Sequence, residues 1–211
     1  IIDYRPLLRA AFFNLDRWVT RNINPPDSNH PRLDDQTAVS RDTALAKFPE
    51  IPDMSKPNSE FLWSLREIDL GEAASTGVGS YPPLEGRFYP CFVSAIDVDG
   101  NELSGIKLPD ISVPLATYSG WNPRHSESGA PDQIIPMQGS THYLPLTEEI
   151  RNHLQDPRQS VEKRYKSKDH YLRLVEFEVE TLVTDGYLLL EDFEFVVKSQ
   201  SSKFDSLSQQ E

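Results

Sequence analysis

Apolar residues recur at three- and four-residue spacing from Leu7 to Val19, through Leu8, Ala11, Phe12, Leu15 and Trp18. That period puts them on one face of a helix over residues 3–20. Asp3 stands where a cap is needed, and Pro6 falls in the first turn, where a missing N–H is tolerated. A face this apolar, starting at the head of the chain, needs something to pack on, so the chain reads as the back part of a longer one. The pattern then breaks. Residues 22–79 carry prolines at 25, 26, 31, 49, 52 and 57, interrupting short apolar pieces. Phe48, Ile51, Phe61, Leu62, Trp63 and Leu65 are too many large anchors for a disordered linker, and predict an extended wrap over a surface with one or two short strands or turns.

The middle switches to strand-like runs. Residues 88–98 and 102–108 flank Asp99-Gly100, which predicts a β-hairpin with positive φ at both turn positions. A third strand is expected over residues 111–118. The last third returns to a helical period. Ser167 is a cap for a helix with Tyr171, Leu172, Val175, Val179, Leu182 and Val183 on one face, and Gly186 stops it. "LEDFEFVVKSQ" reads as a shorter helix with Glu191 and Asp192 in its first turn, and the serine-rich tail from Ser199 reads as frayed. By itself the chain is therefore expected to be α+β and loop-rich. It has an N-terminal helix, a central hairpin with a third strand, and C-terminal helices.

Seventeen prolines in 211 residues fit the loop-rich reading. The formal charge of −12, from 33 acidic and 21 basic residues, repels a phosphate backbone or an anionic bilayer, so neither nucleic acid nor membrane is an expected partner. No apolar run approaches the length of a membrane span, and the compartment stays open. The one cysteine, Cys91, rules out an internal disulfide and a cysteine-based zinc cage; in "FYPCFVSA" it reads as a small buried hydrophobe.

Chemical motifs are few. No G-x-S-x-G elbow, phosphate loop, H-E-x-x-H or dinucleotide fingerprint occurs. His30, His125, His142, His153 and His170 are scattered, without metal-ligand spacing. Only His125 and His142, flanking the loop after the third strand, keep any claim on function. Asp97, Asp99 and Asn101 have the spacing of a calcium loop, but the glycine comes too early and Leu108 stands where the bidentate Glu belongs. Neither a metal nor a cofactor is expected. "DPRQSVEKRY", residues 156–165, reads as a helix start with surface ion pairs of little worth.

One stretch, "PLATYSGWNPRH" (residues 114–125), gathers costly hydrogen-bonding side chains beside a turn. Together with "DGNELSGIKLPDISVPLATYSGWNPR", "DPRQSVEKRYKSKDHYLRLVEFEVETLVTDGYLLLEDFEFVVK" and "IDYRPLLRAAFFNLDRWVTRNINPPDSNHPRL", it resembles a bacterial family of large α/β-hydrolase domain-containing proteins with a C-terminal extension ending in a TY[ST]GWN motif. The resemblance implies an α/β-hydrolase-like parent, with serine, acid and histidine in a preceding portion and none in this chain. It further implies a division into a closing helix (1–21), a proline-rich wrap (22–79) and a C-terminal extension (80–211). The missing hydrolase portion and a small-molecule ester are the implied partners. In this reading Tyr118 and Asn122 hydrogen-bond a substrate, Trp121 walls a pocket and Arg124 meets a carboxylate. The alternative is that Trp121 anchors the loop and Asn122 satisfies turn backbone. The structural role is favoured for Trp121, and Tyr118 and Asn122 are the better pocket candidates. A parent without catalysis, serving binding or assembly, is the competing function class.

Overall fold

The computed structural model describes residues 2–209. Ile1, at the head of the first helical stretch, and the last two residues of the serine-rich tail lie outside the described residues.

Helix α1 (Arg5–Arg21) forms where the 3.6-residue period places it, with Tyr4 at the N-cap position and Asn22 closing it in the left-handed conformation. Asp3 acts from one residue earlier, accepting from the Arg5 amide at 3.1 Å. The buried face is not the large apolar one. Pro6 and Ala10 are buried. Arg9 forks onto Asp192, with Nε to Oδ2 at 2.9 Å, and Asn14 Nδ2 donates to the Gly186 carbonyl at 2.8 Å. Leu8, Phe12, Leu15 and Val19 stay 46, 70, 48 and 75% exposed.

The wrap contains strand β1 (Ala38–Ser40), a helix the proline pattern did not announce, α2 (Arg41–Lys47), and strand β2 (Arg66–Asp69). Ser40 starts α2 by accepting from Thr43 N at 3.2 Å. Strands β3 (Leu84–Phe88) and β4 (Phe92–Ser94) follow. Of these, β4 and only the last residue of β3, Phe88, fall in the run expected to form one hairpin arm. Pro90 has no N–H to continue a ladder, and the strands on either side of it pair elsewhere: β3 with β2 and β4 with β1, both antiparallel. Cys91 lies at that break and is exposed rather than buried.

The expected hairpin shrinks to one bridge, Ile96 with Glu102, around a turn closed by Gly100 N to Asp97 O at 3.1 Å. Only Gly100 takes positive φ, +82°, so the turn is not the two-residue type expected. A Cβ there would lie 3.0 Å from the Phe48 ring and 3.1 Å from Thr117 Cγ2, a second reason for glycine.

The third strand is likewise shorter than expected. Pro109 starts a helical turn, α3 (Pro109–Ser112), and strand β5 is Ala116–Ser119. Its antiparallel partner is β6 (Ser140–Tyr143), in register from Ala116 with Tyr143 to Ser119 with Ser140. Three two-stranded antiparallel ribbons are thus the sheet structure of the described residues. Gly139 enters β6 so close to β5 that a Cβ would stand 2.2 Å from the Ser119 carbonyl oxygen. Gly139→Ala is expected to cost about 1–3 kcal/mol, the usual range for overpacking. Gly120→Ala, where nothing stands within 4 Å, should stay within about 0.5 kcal/mol. Urea midpoints of the two variants check this, and equal midpoints would refute the close approach.

Helices α4 (Glu148–Leu154), α5 (Val161–Arg164), α6 (Lys168–Thr184) and α7 (Phe193–Ser208) complete the chain. Ser167 caps α6 through His170 N at 3.1 Å, and Gly186 leaves it with φ +81°. Tyr171, Val175, Val179 and Leu182 are buried in one core with Leu115, Leu144 and Val196. The tail is helical to Ser208 instead of frayed. Gln200 and Leu207 are buried and Phe204 stacks on Tyr171 at 5.1 Å, so three anchors hold an otherwise polar run. Asp110 joins α3 to α7, accepting from Gln200 Nε2 at 2.7 Å and from Lys203 Nζ.

Candidate functional site

The 114–125 motif runs through β5 and out of its end, held by a buried polar network. Asp97 Oδ1 accepts from the amides of Asp99 and Asn101, each at 2.9 Å. The Asn101 side chain then imitates a strand. Its Nδ2 donates to the Ala116 carbonyl at 3.0 Å and its Oδ1 accepts from Tyr118 N at 2.9 Å. Asp99 meets Arg164 at 2.6 Å. Burial raises the Asp97 carboxyl above its usual range, against hydrogen bonds from Asn101 that lower it. These residues with calcium-loop spacing serve as struts. Among the described residues no group of three His, Cys, Asp or Glu could hold a metal ion.

Arg158 is the centre of the network, and here the expectation of surface ion pairs fails. The side chains of Arg158 and Asp156 are only 2 and 3% exposed. Nε and Nη2 of Arg158 grip the two Asp156 oxygens at 3.0 and 2.7 Å. Nη1 donates to Thr117 Oγ1 and the His142 carbonyl, both at 2.8 Å, and Nη2 to the Tyr143 carbonyl at 3.0 Å. That engages every N–H of the fork. Local spacing in "DPR" gives no sign of this, because the partners come from β5 and β6.

On this support the four residues singled out from the sequence diverge. Trp121 packs its ring edgewise on Phe48, with centroids 4.9 Å apart and planes at 62°. Both line a cleft of about 250 Å³ with Ala44 and Leu45 of α2 and Val93 and Ile96 around β4. Trp121 Nε1 is sealed from solvent and has no hydrogen-bond partner among the described residues. Tyr118 borders the same cleft, but its hydroxyl reaches toward Asp110 at 3.4 Å. Burial first, then the Asp110 charge, push its ionisation upward, so the phenol stays neutral. Asn122 and Arg124 do not line the cleft. Asn122 O accepts from Ile135 N at 2.8 Å and Arg124 N donates to Gln133 O at 2.9 Å, while the Arg124 side chain is exposed. Phe48 was visible only as an anchor of the wrap. The α2 and β4 walls carried no signal at all, since they reach the cleft through tertiary pairing.

Beside the cleft, Ser119 Oγ donates to the Trp121 carbonyl at 2.7 Å and meets Ser140 Oγ at 2.7 Å. Ser140 Oγ also lies 3.1 Å from His142 Nε2. Burial and then Arg158 lower the His142 pKa, which keeps the ring neutral near pH 7. No carboxylate hydrogen-bonds that ring among the described residues, so the pair lacks the group that orients a catalytic histidine. His125 is exposed, its Nδ1 accepting from Glu127 N at 3.3 Å.

A family model described as an alpha/beta hydrolase domain matches residues 2–198. The chain belongs to this family. No curated protein matches it significantly, and neither does any solved structure.

Proposed function

We propose that this chain is the C-terminal, substrate-shaping part of a serine α/β hydrolase acting on carboxylic esters, with the catalytic triad in a portion upstream of it. The observation that carries this reading is membership of a hydrolase family by a chain whose Ser140–His142 contact has no orienting carboxylate among the described residues. The uncovered apolar face of α1 is the natural seat for the hydrolase portion. In the complete protein a serine Oγ attacks the ester carbonyl as its proton passes to the histidine. The alkoxide leaves with that proton, and water then releases the acid from the acyl-serine. The Trp121 loop and the cleft beneath it shape the acyl side of that site.

The second reading, a binding or assembly module, draws on the segment leading into β2, where Trp63 and Leu65 are 87 and 81% exposed. Short acyl esters separate the two. The isolated chain should show no turnover, and Ser140→Ala should change nothing. The longer polypeptide should turn over, and lose that activity with its own upstream serine. Turnover by the isolated chain that Ser140→Ala abolishes would overturn the placement of the triad. An inactive longer polypeptide would leave the module reading.

A further inference from the structure

The cleft between α2, β4 and the Trp121 loop has the size and chemistry of a ligand subsite. Its inner wall is apolar, from Ala44, Leu45, Phe48, Val93, Ile96 and the Trp121 ring. A cavity of about 150 Å³ accepts benzene, so 250 Å³ suits a group of about ten non-hydrogen atoms. Arg41 and Glu102 stand at the margin with opposite charges. Arg41 is already engaged by the Leu62 carbonyl and Asp42. Glu102 is exposed to solvent at that margin, and the inner wall itself carries no charge, so the group that enters it is neutral.

The buried, unpartnered Nε1 of Trp121 is the second clue. A sealed N–H with no acceptor is unfavourable, and the ring is positioned by its edge contact with Phe48 rather than by a hydrogen bond. In the structure that N–H is sealed away from the open cleft, so it reaches a ligand there only if the ring turns on its loop. We infer that the cleft binds a neutral aryl or branched acyl group carrying one carbonyl, and that Trp121 Nε1 donates to that carbonyl as the ring turns. This rests on the ester-hydrolase reading for its biological ligand, the acyl part of the substrate, but not for the binding itself.

The test uses the 211-residue chain with ¹⁵N-labelled tryptophan, whose three indole signals come from Trp18, Trp63 and Trp121. Trp121→Phe identifies the third. Acetophenone is titrated against α-methylstyrene, a probe of the same shape without the acceptor. The Trp121 indole proton should move downfield and saturate with acetophenone, while the other two signals stay in place. α-Methylstyrene should bind about fivefold to tenfold more weakly, as one net hydrogen bond implies. Ala44→Phe and, from the opposite wall, Val93→Phe should each abolish the shift; a thermal melt selects whichever variant folds. Absence of a saturable shift, equal affinity for both probes, or an unchanged shift in the filled variant each overturns the inference. These readouts need no turnover, so an inactive longer polypeptide defeats the hydrolase reading while leaving the cleft standing. Hydrolysis without any indole shift does the reverse.

Discussion

Arg158→Met should destabilise the chain by about 3–5 kcal/mol, the cost of leaving one member of a buried ion pair without its partner. For a chain of this size that corresponds to a fall in Tm on the order of 10 °C. The magnitude follows from the environment. The fork is 2% exposed, and its removal strands the Asp156 carboxylate, 3% exposed, together with the His142 and Tyr143 carbonyls. Arg158→Lys keeps the charge, but a single ammonium cannot span Asp156, Thr117 and two carbonyls of β6, so it should recover little. Replacing Asp156 and Arg158 together by apolar residues should cost much less than the sum of the single changes, because no lone charge remains buried. Urea unfolding of the wild type, the two Arg158 variants, the Asp156 single variant and the double variant measures this. A loss below about 1 kcal/mol for Arg158→Met would place the pair among surface ion pairs, as the sequence first suggested.

Substituting the outer face of α1 should give opposite results in two contexts. In the isolated chain, Leu8→Lys, Phe12→Glu, Leu15→Lys and Val19→Glu replace side chains that are already exposed. The melting temperature should hardly change, and self-association through the apolar face should disappear in light scattering. In the longer polypeptide the proposed hydrolase portion covers that face. Each side chain then contributes roughly 1.5–3 kcal/mol, and the four changes together reach about 6–12 kcal/mol, comparable to the whole stability of a domain. The longer protein should fail to fold or lose its activity. If it tolerates all four changes with unaltered melting, α1 is not the seat of the hydrolase portion. A monodisperse, monomeric wild-type chain would count against the same idea.

The sequence by itself determined the helices with local signals. The 3.6-residue period of α1 and α6, the Ser167 cap and the Gly186 stop are properties of neighbouring residues, and the structure keeps all of them. The family was also legible, because long strings in fixed order survive without knowledge of the fold. Strand pairing was not. β3 and β4 lie on either side of Pro90 and pair with different partners, a choice made by contacts far apart in sequence. The helical tail likewise depended on Gln200 and Phe204 meeting Asp110 and Tyr171. In the motif, residue types pointed to a pocket, but only the folded chain put Trp121 against Phe48 and turned the Tyr118 hydroxyl toward Asp110. Arg158 shows the limit most clearly. Its charge and its neighbour Asp156 are local facts, but its burial depends on β5 and β6 closing around it. Solvent exclusion belongs to the packed chain, and it alone turns a weak surface pair into the strut of the site.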